Sequence, residues 1–381
     1  MAKDKKGFGY LSAKEARQIS KKNRKITNEF EKKRKRKNVP ESEYLTEMHD
    51  PNNAVEFDDL HTYFFTDAGT VKSVDGVTFN VPIGKTVGVV GESGCGKSVT
   101  SLSLMQLVQR PQGQIVSGEI RLNMGDKAYE ISKVPTEKMQ QIRGNVVSMI
   151  FQEPMTSLNP VMKVGRQVDE AIRIHMNVPA SESRQKTIEM FEAVGIPEPE
   201  ARYNCYPHEL SGGLRQRVMI AMAMICKPRL LIADEPTTAL DVTVEAQILH
   251  LMKELNKSGT SILLISHNLG VIAQVCDYVY VMYAGQILEE ADVYTLFEKP
   301  LHPYTKGLLE AVYSLRREEA VLDTIPGVVP NLLHLPEGCS FSLRCEQCLE
   351  CCAATMPAMF EAEPGHKVKC HLFDSLQGDK K

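Results

Sequence analysis

Residues 85–108 read KTVGVVGESGCGKSVTSLSLMQLV, and the loop GESGCGKS at Gly91–Ser98 matches the phosphate-binding pattern G-x-x-x-x-G-K-[ST]. The short apolar stretch before the loop predicts a β-strand, and apolar residues at helical spacing after it predict a helix. In such a loop Lys97 reaches the β and γ phosphate oxygens and Ser98 supplies a hydroxyl to Mg²⁺. The candidate nucleotide-binding residues are Gly91, Glu92, Ser93, Gly94, Cys95, Gly96, Lys97, Ser98 and Val99.

Two later apolar stretches end in residues that suit phosphate chemistry. RLLIADEP, residues 229–236, predicts a buried strand that ends at Asp234 and is followed by Glu235, and SILLISH ends at His267. Parallel α/β sheets collect their ligands beyond the carboxyl ends of the strands, so these side chains are expected near the phosphate loop. Asp234 would bind Mg²⁺ through its water shell, Glu235 would activate the attacking water, and His267 would contact the γ-phosphate.

A second glycine motif, LSGGLRQRV, occupies residues 210–218. Paired glycines after a serine, followed by a basic helical segment, present backbone N–H groups at a helix start, where anions bind. The chain already has a phosphate-binding loop at Gly91–Ser98, so the LSGG motif is expected to bind a phosphate other than the one held by that loop.

Together with Gln152 in VSMIFQEP and with TALD at residues 238–241, these motifs resemble the ATP-binding subunits of ABC transporters. The resemblance implies an α/β P-loop NTPase fold of ABC type, in which a mixed sheet core carries a helical subdomain at about residues 153–210. LSGG is the signature of that family. Its implied task is to cover the nucleotide held by a second, head-to-tail ATPase, so that Ser211 and Gly213 would contact the partner's γ-phosphate.

The resemblance assigns further roles at the nucleotide. Gln152 would sense Mg²⁺ and the attacking water and couple to membrane subunits, Asp241 would lie at the dimer seam, and Glu235 would be the general base. An aromatic residue ahead of the phosphate loop would stack on adenine. Phe64 and Phe65 are the candidates, and Phe65 is favoured.

The C-terminal sequence narrows the family. LHPYT at residues 301–305 and GCSFSLRC at residues 338–345 resemble the end of ATPase subunits from oligopeptide and dipeptide importers. The predicted division is a basic N-terminal extension at 1–50, an ABC ATPase domain at 51–300, and a small importer-type C-terminal region at 301–381 with clustered cysteines.

The implied function is ATP hydrolysis that powers peptide import at the cytoplasmic side of the cell membrane. The implied partners are a second homologous ATPase, as a heterodimer, two integral membrane permease subunits and, through the complex, an extracellular solute-binding protein. Import of nickel or glutathione by the same family is an alternative. A soluble ABC ATPase acting on ribosomes or DNA is another, although nucleic acid is not an expected partner.

Six of the ten cysteines lie between Cys339 and Cys370. In a cytosolic chain such crowding indicates metal rather than disulfides. The resemblance implies a [4Fe–4S] cluster held by Cys339, Cys345, Cys352 and Cys370. Cys348 and Cys351 form a competing C-x₂-C-x₂-C set with Cys345. Zinc and packed free thiols remain alternatives.

The composition indicates the class of protein and the character of its N-terminal segment. Hydrophobic residues at 43% and charged residues at 24% are typical of a globular protein, and no apolar run approaches the ~18 residues of a membrane span. The net charge of −3 hides a basic start, because residues 1–37 carry 15 Lys or Arg and 4 Asp or Glu. We expect this segment to be mobile or weakly helical, as a solvated tail, a membrane-surface contact or a nucleic-acid arm.

Overall fold

The computed structural model describes residues 12–36, 38–153, 157–237, 241–314 and 325–377. The α-helices are α1 (Ala13–Arg34), α2 (Lys97–Leu104), α3 (Thr136–Ile142), α4 (Val164–His175), α5 (Ala180–Ala193), α6 (Pro199–Tyr203), α7 (Gly212–Met224), α8 (Val242–Lys257), α9 (Leu269–Val275), α10 (Val293–Glu298), α11 (Pro303–Ser314) and α12 (Glu350–Ala354). The strands are β1 (Leu45–Thr46), β2 (Asn53–Thr66), β3 (Gly69–Pro82), β4 (Thr86–Val90), β5 (Gly113–Asn123), β6 (Ala128–Glu130), β7 (Val147–Ile150), β8 (Leu230–Asp234), β9 (Ser261–Ser266), β10 (Tyr278–Tyr283), β11 (Gln286–Asp292), β12 (Phe360–Glu363) and β13 (His366–Val368).

A mixed sheet of eight strands, in the order β12-β13-β11-β10-β4-β9-β8-β7, forms the centre of the fold. Strands β10, β4, β9, β8 and β7 run parallel, whereas β11, β13 and β12 pair antiparallel. Every residue of β4, β8 and β9 is buried, which explains why their sequences are almost continuously apolar. The predicted α/β architecture with a mixed sheet is confirmed, and the carboxyl ends of β4, β7, β8 and β9 meet at one edge.

An antiparallel sheet in the order β1-β6-β5-β2-β3 packs beside the central sheet. A shared apolar cluster joins the two sheets and includes Phe57, Phe79, Val89 and Ile265. On the other side, α4 buries Val164, Val168 and Ile172 at helical spacing among α5, α6 and α7. The stripe on α4 therefore belongs to the core of the helical region.

The basic N-terminal segment contains a 22-residue helix, α1, where we expected a mobile or weakly helical chain. A capping box of Ser12 and Glu15 satisfies N–H groups at its start. Asn23 Nδ2 donates to Thr66 O at 2.7 Å, and Glu31 accepts from Arg110 at 3.1 Å. Composition alone does not predict these anchors, because they depend on residues that are distant in the sequence.

The C-terminal region is joined to the central sheet through β13, which pairs with β11. Buried Glu289 of β11 accepts from the N–H groups of Leu301 and His302 and pairs with His366 Nε2 at 2.7 Å. The C-terminal region therefore shares hydrogen bonds and a strand pairing with the central sheet. Within the described ranges, no helix combines the length and apolar character needed to cross a membrane.

Candidate functional site

The phosphate-binding loop connects β4 to α2 and requires glycine at two positions. Gly91 and Gly96 have φ of +153° and +107°, and an added Cβ would lie 2.0 Å from Met282 O and 2.2 Å from Ser73 O, respectively. Lys97 is 5% exposed, and its Nζ donates to Gly91 O at 2.7 Å and to Glu92 O at 3.0 Å. The loop therefore curls around a buried ammonium group.

Ser98 and Asp234 form the candidate magnesium site. Ser98 Oγ donates to Asp234 Oδ1 at 3.0 Å, which joins the start of α2 to the end of β8. Burial, with a smaller contribution from neighbouring Glu235, raises the pKa of Asp234 to about 6. A hydroxyl and a buried carboxylate are hard oxygen donors of the kind that Mg²⁺ accepts beside phosphates, so these residues fit the ion.

Glu235 lies between the two other predicted catalytic residues. Its Oε2 accepts from Gln152 Nε2 at 2.9 Å, and its Oε1 lies 3.2 Å from His267 Nδ1. Its backbone has φ of +47°, and its N–H donates to Ile265 O at 2.9 Å. The structure thus brings Gln152, Glu235 and His267 together from the ends of three parallel strands.

The two predicted seam positions lie at helix starts. Ser211 caps α7 by accepting from Leu214 N at 3.4 Å, and Ser211 and Gly212 are exposed while Gly213 is half-buried. Exposed Asp241 caps α8 by accepting from Val244 N at 2.9 Å. The three residues before Asp241, at 238–240, lie outside the described residues. Both helix starts therefore face solvent, where a second subunit can reach them.

The two candidates for the adenine contact, Phe64 and Phe65, differ in exposure. Phe65 is only 9% exposed, whereas neighbouring Phe64 is half-buried. A shift in the pairing of β2 with β3 between Thr62 and Tyr63 interrupts the alternation of faces. Phe65 therefore offers little ring area to a ligand, and Phe64 is the better candidate.

Gln216 is a residue that the sequence motifs did not identify. It lies on α7 with 2% of its surface exposed, and its Nε2 donates to Pro236 O at 2.6 Å. Pro236 follows Glu235 directly, so this bond ties the helix after the LSGG motif to the loop that carries the candidate base. No local sequence signal marks it, because glutamine in a helix is common.

We expect Gln216→Ala to lower the free energy of unfolding by about 1–3 kcal/mol, because it leaves a buried carbonyl without a donor. Urea unfolding of the full chain measures this. Gln185→Ala is the matched control, since Gln185 is an exposed helical glutamine whose Nε2 donates to Glu189 Oε1 on the same helix at 3.0 Å. Equal stability of the two variants would show that the Gln216 bond contributes nothing.

The clustered cysteines do not form a recognisable metal site. Within the described ranges, no group of three or more His, Cys, Asp or Glu side chains is arranged to hold a metal ion. The four predicted ligands Cys339, Cys345, Cys352 and Cys370 are buried or half-buried, whereas Cys348 and Cys351 are exposed. Burial and, to a lesser degree, the thiols of the other three raise the pKa of Cys370 to about 11. Cys339 N donates to Cys352 O at 2.8 Å, so these two residues are neighbours, but the thiols lack the arrangement of metal ligands.

Comparisons with known proteins agree with this geometry. A family profile described as "ABC transporter" matches residues 74–238, and one described as "Oligopeptide/dipeptide transporter, C-terminal region" matches residues 288–352. A probable peptide ABC transporter ATP-binding protein of Sinorhizobium fredii is 49% identical over 82% of this chain and 92% of that protein. The oligopeptide transport ATP-binding protein AppD of Bacillus subtilis is 49% identical over 84% of this chain and 97% of that protein.

Solved structures show the same fold. The ATP-binding cassette MJ0796, solved as a post-hydrolysis dimer with ADP and Pi, aligns with a TM-score of 0.57 and 23% identity. The alignment covers 63% of this chain and 98% of that chain. At this identity the likeness concerns the fold alone.

Proposed function

Because the chain belongs to the ABC transporter family and is an ATPase subunit, we propose that it powers the import of peptides across the cell membrane. The observation that carries the substrate class is the pair of relatives, each 49% identical over at least 92% of its own length and named for peptide or oligopeptide transport. The matched C-terminal region, residues 288–352, supports the same class.

The chemistry follows from the site. Water attacks the γ-phosphorus of ATP, a P–O bond forms as the bond to the ADP oxygen breaks, and Glu235 takes the proton of the water. Gln152 and His267 hold the two oxygens of Glu235 and so fix its direction. Ser98 and Asp234 would hold Mg²⁺, which supplies charge neutralisation at the phosphates. Lys97 provides a fixed cation, and Phe64 stacks on adenine.

A second ATPase completes the site. The exposed Ser211 and Asp241 suit a head-to-tail pair, in which the LSGG motif covers the nucleotide of the other subunit. A homologous second ATPase, two membrane permease subunits and an extracellular solute-binding protein make up the proposed importer. The chain would then sit on the cytoplasmic side of the membrane as a peripheral subunit.

The test is transport by the reconstituted complex. The tagged chain is co-purified from gently solubilised membranes, its partners are identified by mass spectrometry, and the complex is placed in vesicles with its binding protein. ATP-dependent uptake of labelled oligopeptides is expected. Uptake of nickel or glutathione, but not of peptides, would contradict the proposed substrate class. Recovery of ribosomal proteins without membrane partners would contradict the proposal that the chain belongs to an importer.

For the cysteines we propose a [4Fe–4S] cluster on Cys339, Cys345, Cys352 and Cys370, supported by the hydrogen bond of 2.8 Å from Cys339 N to Cys352 O, by the burial or half-burial of these four thiols and by the exposure of the other two. Anaerobically purified chain is expected to contain roughly four iron atoms and acid-labile sulfide. Cys352→Ser should lose them, whereas exposed Cys348→Ser should keep them. Stoichiometric zinc, or iron loss only in the Cys348 variant, would contradict this ligand set.

A further inference from the structure

Two C-terminal motifs meet the phosphate-binding loop at one residue, Glu92. Tyr304 of LHPYT accepts a hydrogen bond from Glu92 N at 2.8 Å through its hydroxyl oxygen. Arg344 of GCSFSLRC donates to both carboxylate oxygens of Glu92, from Nη1 at 2.6 Å and from Nη2 at 3.0 Å. The sequence identified these motifs only as family markers, yet both contact the nucleotide loop.

The Arg344 side chain is buried, and each of its three nitrogen atoms donates hydrogen bonds. Its side chain is 4% exposed. Its side chain also donates hydrogen bonds from Nε to Pro326 O at 2.9 Å, from Nη2 to Ile325 O at 3.3 Å and from Nη1 to Tyr283 Oη at 3.4 Å. Glu92 raises the pKa of Arg344 further above its ordinary value, so the guanidinium is permanently charged. A planar fork with two parallel bonds to a carboxylate is the geometry that arginine provides and lysine does not.

Aromatic packing joins this arginine to the central sheet. Tyr283, at the end of β10, lies 4.7 Å from Tyr304 and 5.3 Å from Phe341 between ring centroids. Strand β10 pairs directly with β4, the strand that enters the phosphate loop. The C-terminal residues and the loop are therefore parts of one packed unit.

Glu92 also stands next to the ammonium group that would bind phosphate. Its carbonyl oxygen accepts from Lys97 Nζ at 3.0 Å. An unpaired carboxylate in this loop would repel the negatively charged triphosphate and would compete for the cation. The ion pair of Glu92 with Arg344 has no net charge, so it repels the triphosphate far less than an unpaired carboxylate would.

We propose that Arg344 is a positioning residue for ATP, which neutralises and fixes Glu92 so that the phosphate-binding loop accepts a triphosphate. The proposal rests on that loop being the nucleotide site. The C-terminal region, which the sequence identified only as a family marker, would then also support the ATP site.

The test compares ATP affinity and steady-state hydrolysis in the full chain. Arg344→Met should weaken ATP binding about tenfold, because it leaves the Glu92 carboxylate unpaired beside the triphosphate, and should raise KM while kcat at saturating ATP stays within about threefold. Adding Glu92→Gln to Arg344→Met removes the unpaired charge and should restore affinity to within about threefold of wild type. Leu343→Ala, at an adjacent residue that is 78% exposed, is the control and should bind as wild type does.

Folding is checked by urea unfolding of each variant. If Arg344→Met does not fold, Arg344→Lys keeps the charge but loses the fork, and its affinity should fall about threefold. Wild-type affinity in a folded Arg344→Met or Arg344→Lys variant, or failure of Glu92→Gln to restore it, would overturn the proposal. Absence of ATP binding by the wild-type chain would instead contradict the assignment of this loop as the nucleotide site.

Discussion

Glu235→Gln is expected to lower kcat for ATP hydrolysis by about 10²–10⁴, the usual contribution of a general base, while ATP binding stays near the wild-type level. The glutamine amide has nearly the shape of the carboxylate, so it still fits between Gln152 and His267. It cannot take a proton from water, and the attacking water loses its base. Phosphate release measured together with titration of a fluorescent ATP analogue separates the two effects.

The matched control for this change is Glu254→Gln. Glu254 is exposed on α8 and pairs with Lys257 at 2.8 Å, away from the strand ends that form the site. Its substitution should leave both kcat and ATP affinity unchanged. Turnover at the native rate in Glu235→Gln would remove Glu235 from the role of base.

The parts of this site that could be predicted are those written in consecutive residues. The phosphate loop, the strand that ends at Asp234 and the strand before His267 are apolar stretches that end in polar or glycine residues, and parallel topology then places their ends together. The full fold class, with its mixed sheet and helical subdomain, came from the family resemblance of these motifs. The local order of residues therefore sufficed to place Lys97, Ser98, Asp234, Glu235 and His267 at one edge of the sheet, and their roles in catalysis stay predictions.

The parts that could not be predicted are contacts between distant residues and small shifts of register. Gln216 and Pro236 are 20 residues apart, and Arg344 and Glu92 are 252 residues apart. A one-residue irregularity in β2 decides which phenylalanine is buried, and propensity does not locate such irregularities. Residues 1–37 were expected to be mobile or weakly helical, and the contacts that anchor α1 are made to distant residues, Thr66 and Arg110.

Lys97→Ala is expected to weaken ATP binding by about 10–100-fold, since a hydrogen bond to a charged group contributes about 1.5–3 kcal/mol and each 1.4 kcal/mol is a factor of ten. In the free chain the Lys97 ammonium is held by the carbonyl oxygens of Gly91 and Glu92, which place it at the centre of the loop. The alanine variant removes the fixed cation that the β and γ phosphates would meet. Equilibrium titration with a fluorescent ATP analogue measures the loss.

Removing Lys97 also leaves two carbonyl groups without their donor, so a loss of affinity could come from a disordered loop instead of a missing charge. Lys97→Arg separates these causes, because it keeps the charge and the carbonyl contacts in a bulkier group. Lys85→Ala, at a lysine that is 56% exposed just before β4, controls for loss of a cation elsewhere on the surface. Wild-type ATP affinity in a folded Lys97→Ala chain would contradict the assignment of this loop, whereas weak binding that Lys97→Arg partly restores identifies the charge as the cause.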